Sequence, residues 1–450
     1  MSAPIPKRSN TRTIVILSVV GVAIVGIWIV WSLSMFGQGP SALQTELRLA
    51  KADGLPLSAD DVRKSRVVPP TENAAPLLRT AFTERQSSDQ TVEGKAIGKF
   101  VGRNSSLPEL TADQIAQVEP WISKQGHLFE LLGRAVSRPS LDFDRKWELG
   151  PALLLPEFAD EKACLTHLLL KAKVEMSHGN TAAAMDTLEV GSKLSRLVGQ
   201  EPLIIGALVQ VAMRSSICEA LTEIIKAHQA DALVLKRSRQ IIDEMGPMPD
   251  VRHAIQSEFL MGRVAISMLA SADSVQLLGG DGGNTVFRLA RIGPVRTIYD
   301  LRFTQLYRTL YKDLCQNPSS VLSMEQAFKR AQAFMEQKGS KDWTYGLADV
   351  LSPVFVGMAG AVGESEARRN VIRTAITQLD CKRMYGTWSQ KMVITPHCDI
   401  DPFTNKALLF KPAANGFTIY SVGKDEQDDG GKPRPKKYSG GNYDIVFSIP

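Results

Sequence analysis

The side chains best suited to chemistry lie near the C-terminus, in an acidic, glycine-rich loop. Asp425, Asp428 and Asp429 precede Gly430 and Gly431. Carboxylates in a tightly turning loop are what a hard cation such as calcium needs, although the spacing is not that of an EF-hand. The loop therefore offers a possible calcium site. Its ligands would be Asp425, Asp428, Asp429 and Asp444.

The same loop has an alternative interpretation that needs no cation. Four basic residues follow the acidic ones at once, and they are available as ion-pair partners. A solvated, ion-paired loop is the interpretation that the sequence favours over a calcium site. The four basic residues are Lys432, Arg434, Lys436 and Lys437.

The five cysteines suggest one disulfide and no zinc site. Cys381 and Cys398 flank the segment that leads into the last part of the chain, and they are candidates for a disulfide in an oxidising compartment. No pair has the C-x-x-C spacing of a zinc ribbon. Cys164, Cys218 and Cys315 lie in apolar helical patterns and are predicted to be buried.

Other catalytic signatures are missing from the sequence. None of the six histidines forms an H-E-x-x-H pair, and no G-x-S-x-G motif is present. The glycine-rich stretch 279–284 lacks the Lys-Ser/Thr of a phosphate-binding loop. We therefore predict no catalytic residue and no cofactor other than the possible calcium.

The elements that position the candidate residues begin with an apolar run near the N-terminus. Residues 13–36 contain no charge, and at about 1.5 Å per residue the run spans the roughly 30 Å core of a bilayer. Lys7, Arg8 and Arg12 precede it, which predicts a cytoplasmic tail (1–12), a single transmembrane helix (13–36) and an extracytoplasmic remainder. A cleaved signal peptide is the alternative, but its apolar region would be shorter. No other segment is predicted to span a membrane.

The remainder is predicted to be mainly α-helical with a small antiparallel β tail. Apolar positions recur at helical spacing through most of residues 37–390, and a helical hairpin is expected at 160–198 around Gly179 and Asn180. Residues 86–108 are predicted to be a loop. Short β-rich runs at 408–411, 416–421 and 443–449 predict a meander within 391–450. We expect the tail to have a core of its own.

Composition narrows the partners. The chain has 450 residues, 44% of them hydrophobic, and a net charge of +6. Lys7, Arg8 and Arg12 account for half of that charge, so about +3 is spread over the rest of the chain, too little for a nucleic-acid face. The membrane, through residues 13–36, and envelope proteins are the partners that we expect.

Both ends of the chain resemble a group of membrane-anchored bacterial proteins. The tail has the pattern D-P-F, G-F-x-x-Y-S-V-G, D-D-G-G and D-I-V, and the segment Glu72 to Leu78 reads E-N-A-A-P-L-L. In the group that these motifs resemble, an N-terminal anchor leads into a long helical region and a β tail. The resemblance implies the same architecture here and a place in the bacterial inner membrane with the domain in the periplasm. It implies no activity.

The tail is also similar to the C-terminal segment of the major pseudopilin of type II secretion. Asp401, Pro402 and Phe403 match one element of that segment, and Tyr420 and Ser421, with Gly423, match another. The likeness implies that the acidic loop holds calcium. The prepilin processing signature is missing, because residues 13–36 contain no Glu, so the chain is not a processed pilin subunit.

The function that the sequence favours is non-catalytic: a structural or protein-interaction role at the cell envelope. One alternative is a calcium-dependent assembly module related to the pseudopilins. Another is a hydrolase whose active site is assembled from dispersed residues, since catalytic groups need not be adjacent in sequence. A cleft with perturbed carboxylates or histidines would favour the hydrolase, and a convex surface without a cleft would favour the interaction role.

Overall fold

A computed structural model of the chain describes residues 39–101, 110–246, 251–270, 285–316, 321–339, 342–345, 354–393, 399–434 and 443–450. The predicted transmembrane helix 13–36 and the basic residues before it lie outside these ranges. The described part is mainly helical and ends in a three-stranded antiparallel sheet, which confirms the prediction of a mainly α fold with a β tail.

The helices and strands of the described ranges are numbered in chain order, and two short 3₁₀ helices, Trp147–Ala152 and Trp343–Tyr345, are left unnumbered. They are α1 (Gly39–Ala52), α2 (Ala59–Lys64), α3 (Ala75–Asp89), α4 (Val92–Val101), α5 (Ala112–Ser123), α6 (Gly126–Val136), α7 (Glu157–Ser177), α8 (Thr181–Val198), α9 (Ile204–Ala227), α10 (Ala232–Glu244), α11 (Val251–Met268), α12 (Thr285–Ala290), α13 (Gly293–Gln316), α14 (Val321–Gly339), α15 (Val354–Tyr385), β1 (Leu409–Pro412), β2 (Phe417–Ser421) and β3 (Ile445–Ile449).

Local sequence signals account for several helix boundaries. Ser58 and Asp61 form a capping box at the start of α2, and Thr111 and Gln114 form one at the start of α5. Gly179, with φ of +73°, ends α7 in the left-handed region that glycine adopts at little cost. The apolar residues of α3 recur at helical spacing and are buried; they are Ala75, Leu78, Ala81 and Phe82.

The prediction of a loop over residues 86–108 is wrong for its described part. Helix α3 continues to Asp89, and α4 covers Val92–Val101. The segment folds because Ile97 is buried in a small core with Val118 and Trp121. Two glycines, Gly94 and Gly98, weaken the helical signal of this stretch in the sequence.

Two large apolar cores meet at α9. One core joins α3, α6–α10 and α15, and the other joins α1, α9 and α11–α15. Within the described ranges, α9 is long and apolar enough to cross a membrane, contrary to the expectation that no segment beyond 13–36 would be, but 72% of its most apolar window is buried in protein. Its position between two cores explains that composition.

The β tail packs against the helices. The strands lie in the order β1-β2-β3, with Phe417 opposite Ile449 and Tyr420 opposite Val446. Phe417 and Phe447 belong to the same buried core as helices α9 and α15. The expectation of a separate tail core is therefore wrong, because three short strands have too little apolar surface to bury without a helix to cover one face.

Candidate functional site

Asp444, a predicted calcium ligand, is buried and holds the backbone of the acidic loop. One carboxylate oxygen, Oδ2, accepts from the amides of Gly431 (2.6 Å) and Lys432 (3.2 Å), and Oδ1 faces the amide of Asp429 at 3.5 Å. Burial raises the pKa of Asp444, and the three amides oppose that shift. This carboxylate therefore fixes the end of the acidic loop against the start of β3.

Asp401 has a similar role at the other end of the tail. It is buried, and its two carboxylate oxygens accept from the amides of Phe403 (3.0 Å) and Val422 (2.9 Å). The D-P-F motif thus joins the segment before β1 to the end of β2. Both aspartates have a structural explanation that requires no ion.

The other three predicted ligands, Asp425, Asp428 and Asp429, lie in the loop between the end of β2 and Asp444. Asp428 accepts from the amide of Gly430 (2.8 Å), and burial together with Asp428 raises the pKa of Tyr420 to about 12. The Oδ2 atoms of Asp425 and Asp429 are buried and have no hydrogen-bond partner among the described residues.

In the described part of the chain, no group of three or more His, Cys, Asp and Glu side chains has an arrangement suited to a metal. The calcium prediction for Asp425, Asp428, Asp429 and Asp444 remains a prediction.

Basic side chains around the tail join it to the helices. Lys424 pairs with Glu364 of α15 (3.9 Å), and Lys329 of α14 pairs with Glu426 (4.0 Å). Both contacts are partly exposed and contribute little to stability. The described basic residues that follow the loop include Arg434, whose guanidinium lies 5.2 Å from the centre of the Tyr443 ring. Lys436 and Lys437 lie outside the described residues.

The cysteines divide into buried and accessible thiols. Cys164 and Cys218 are buried as predicted, and burial raises the pKa of both thiols, for Cys218 to about 11, which disfavours the reactive thiolate. Cys315 is exposed, so its predicted burial is wrong; it lies in the last turn of α13, next to the helix end. Cys381 is half-buried near the end of α15. Its predicted partner Cys398 lies outside the described residues, and the disulfide remains a prediction.

A cleft in the helical region has room for a ligand. Its volume is about 510 Å³, and it lies between the segment 65–68, residues 140–141, the end of α8 and the start of α11. Two smaller cavities, of about 310 and 200 Å³, share Arg66 with it. Its apolar lining consists of Val67, Val68, Leu141, Leu203, Ala207, Val251 and Ala254.

A buried ionic cluster lies beside the cleft. Arg145 donates through Nε to Glu201 (2.5 Å) and through Nη1 to Glu157 (3.2 Å). The Arg145 guanidinium also lies 5.3 and 5.2 Å from the ring centres of Phe143 and Phe158. Glu201 lines the cleft, and Arg145 lines the 310 Å³ cavity next to it. The ion pair therefore connects the walls of two adjoining cavities.

Two carboxyl groups in this cluster are unsatisfied. Burial raises the pKa of Glu201, and Arg145 and Arg66 oppose that shift only in part. Burial, reinforced by Glu201, raises the pKa of Glu161 well above the ordinary value. Within the described structure, neither oxygen of Glu161 nor Oε1 of Glu201 has a hydrogen-bond partner. Raised carboxyl pKa values beside a cleft are typical of functional sites, although buried ion pairs also produce them.

Gln210 adds a second acceptor without a described donor to the cleft wall, beside Glu201. Its side chain is 2% exposed, and its Oε1 has no donor among the described residues. Gly199 allows this position, since a Cβ there would come within 2.2 Å of the Gln210 amide carbon. The cleft wall is therefore built around Gln210, which a side chain at 199 would displace.

The predicted and observed sites do not coincide, and sequence reasoning missed the cleft. Its lining extends from Ser65 to Ala254 with no motif spacing. One usable signal was present: Glu161 lies on the apolar face of α7, between Phe158 and Leu165, where a core residue is expected. A carboxyl at such a position indicates a buried charge cluster. Comparison with protein-family models, with curated proteins and with solved structures gave no match.

Proposed function

We propose that this chain is a single-pass protein of the bacterial inner membrane whose helical domain lies in the periplasm and binds an envelope partner through the cleft. The observation that supports it is the 510 Å³ cleft beside the Glu201–Arg145 pair, with a half-apolar lining and unsatisfied acceptors. Sites for ligands are typically concave, largely apolar and supplied with a few polar groups. The membrane part of the proposal depends on residues 13–36 and on Lys7, Arg8 and Arg12.

Exposed apolar side chains at the rim favour a protein partner. Val67 lines the cleft and is 82% exposed. Val68, the next residue, also lines the cleft and is partly exposed. Apolar groups around a polar recess are typical of a surface that another chain covers.

The orientation is tested with reporters fused after Pro450. A reporter that works only in the periplasm should be active, and one that works only in the cytoplasm should be inactive. The opposite pattern contradicts the orientation. Recovery of the domain in the soluble fraction contradicts the anchor.

Partner binding is tested by photo-crosslinking in intact cells. A crosslinking amino acid at position 67 should give a discrete adduct, because Val67 lies at the cleft. The matched control is Val92 of α4, which is similarly exposed (85%) but does not line the cleft. Identical crosslinking from the two positions would contradict binding at the cleft.

The hydrolase is a second candidate, because a cleft lined by a carboxyl with a raised pKa, Glu201, is the observation expected of an enzyme. It ranks second because Glu201 is only 3% exposed, its Oε1 is buried and its Oε2 is held by Arg145, so neither oxygen is presented to a substrate. A panel of ester, peptide and glycoside substrates tests this role, with Glu201→Gln as the variant that should lose any turnover and Glu130→Gln, an exposed residue of α6, as the control.

A calcium-dependent role of the tail is a third candidate, favoured by the unpartnered oxygens of Asp425 and Asp429. Calcium should raise the unfolding temperature of the purified chain, by the equivalent of about 2.7 kcal/mol at a hundred times the Kd. Magnesium should do less, because it releases its waters reluctantly. Replacing Asp428 and Asp429 by Asn should abolish the shift. No shift at millimolar calcium would leave the ion-paired loop.

A further inference from the structure

Arg66 is the one residue that lines the cleft and both of its adjoining cavities. Its Nη2 donates to the carbonyl oxygens of Leu141 (3.1 Å) and Gln200 (2.8 Å), which hold the guanidinium in place. Within the described structure, its Nε and Nη1 have no hydrogen-bond partner. A guanidinium fixed by one nitrogen, with the others available, is prepared to bind an oxygen anion.

The charges around the cleft favour an anion. Arg196, in the last turn of α8, also lines it and makes one exposed pair with Glu244 at 3.4 Å. The acidic group in the lining is Glu201, and Arg145 already neutralises its Oε2. Two arginines therefore face a single compensated carboxylate, and the cleft is net positive.

The surroundings favour a single negative charge over a phosphate. The other cations of the adjoining cavities already have carboxylate partners: Lys51 pairs with Asp61, Arg63 with Glu148 and Arg145 with Glu201. These cavities therefore leave one guanidinium, that of Arg66, for a ligand. A carboxylate needs only one guanidinium, which it binds through two parallel hydrogen bonds.

The lining of the cleft indicates which kind of molecule carries the carboxylate. Leu141, Leu203 and Val251 give the cleft an apolar wall, and its volume is within the range of small-ligand sites, enough for about two or three peptide residues. Gln210 also lines the cleft, and a side-chain amide suits a ligand that has an amide group of its own. An apolar group, an amide N–H and a carboxylate occur together at the C-terminus of a peptide.

We propose that the cleft binds the C-terminal carboxylate of an apolar peptide, with Arg66 as the residue that holds the carboxylate. The proposal rests on the function proposed above and names the chemistry of the partner. Arg196 assists by its charge, and the side-chain amide of Gln210 contacts a peptide amide.

The test uses the full-length chain in detergent and fluorescence polarisation. The probe is a fluorescein-labelled Gly-Ser-Ala-Val-Leu peptide with a free carboxylate, compared with the same peptide as its C-terminal amide. The acid should bind at least about tenfold more tightly than the amide, and its affinity should fall with added salt. Sodium hexanoate, a carboxylate without a peptide, should compete only weakly.

Variants assign the effect to Arg66. Arg66→Met should lose the preference for the acid and leave the amide's affinity unchanged. Because Arg66 also holds two carbonyls, Arg196→Met, which disturbs neither, is the second variant, and about a threefold loss is expected for the acid alone. Arg134→Met, an exposed change on α6 away from the cleft, is the control and should bind like the unaltered chain.

The possible outcomes distinguish failure of this inference from failure of the proposed function. Equal affinity for acid and amide overturns the carboxylate inference and leaves the cleft as a peptide site. Hexanoate that competes as well as the acid peptide overturns the peptide part. Failure of both peptides to bind at about 1 mM overturns the inference, and the crosslinking at position 67 then decides independently whether the cleft has a partner.

Discussion

The tail and the cleft region both contain buried carboxylates, but these carboxylates differ in their hydrogen bonding. In the tail, Asp401 and Asp444 accept hydrogen bonds from backbone amides of the loops that they join. Beside the cleft, Glu161 and Glu201 retain oxygens without donors in the described structure. The region with a recognisable motif thus uses its buried acids to fold a loop, whereas the region without a motif leaves acids unsatisfied beside a cavity.

The largest effect should come from removing the charge that compensates the cleft cluster. Arg145→Met leaves Glu201 and Glu157 without their partner, and we expect a loss of about 3–5 kcal/mol in the free energy of unfolding, measured by urea titration. Arg134→Met, which breaks the exposed 3.9 Å pair with Glu130, is the control and should change stability by less than about 1 kcal/mol. Similar losses of unfolding free energy in the two variants would show that the buried cluster contributes no more to stability than an exposed pair.

A smaller effect is expected in the tail. Asp444→Ala leaves the amides of Gly431 and Lys432 without an acceptor, at a cost of about 2–3 kcal/mol. Because the sheet shares a core with α9 and α15, the variant should unfold in one transition at a lower urea concentration. Gln427→Ala, an exposed change in the same loop, is the control. An early, separate tail transition would show that the tail and the helices are independent after all.

Glu161→Gln should change how stability depends on pH. A carboxyl whose pKa is raised in the folded state contributes stability that is complete below its unfolded pKa, about 4.3, and is lost as pH rises through the folded value. The unaltered chain should therefore lose stability as pH rises above about 4.3, and the variant should lose less of it. Urea midpoints measured between pH 5 and 9 test this, and parallel curves would contradict a buried, protonated Glu161.

Gly199→Ala should have the smallest effect. Backbone φ at Gly199 is −67°, which alanine adopts freely, so the cost of about 1 kcal/mol comes from the displaced Gln210. Gly133→Ala on α6 is the matched control, since a Cβ there meets nothing within 4 Å and should stabilise slightly. Equal thermal shifts in the two variants would show that Gln210 adjusts without cost.

Local patterns were sufficient for much of the fold. The caps at Ser58 and Thr111, the stripe that begins at Ala75 and the strands near Tyr420 were all predictable, because each depends on residues only a few positions apart. Helix α4 was missed because its burial depends on Trp121 and on other residues distant in sequence.

The cleft could not be predicted either, because it also depends on residues that are distant in sequence. Arg66, Arg145 and Glu201 are brought together only by the packing of helices between them, and no spacing in the sequence records that proximity. The aspartates of the tail loop, in contrast, form a pattern that is visible in the sequence. Asp444 serves to close that loop.

The docking of α1 has a mechanical consequence. Arg308 of α13 binds both Glu46 and Asp53, and Gly39 at the first turn is already buried near Ile298, so residues 39–52 provide no swivel. If residues 13–36 cross the bilayer, α1 acts as a stiff post of about 20 Å at most between the membrane and the 200 Å³ cavity at Gly54. Helix α1 and the domain therefore move as one body, and the direction in which the cleft faces is set by the direction of α1.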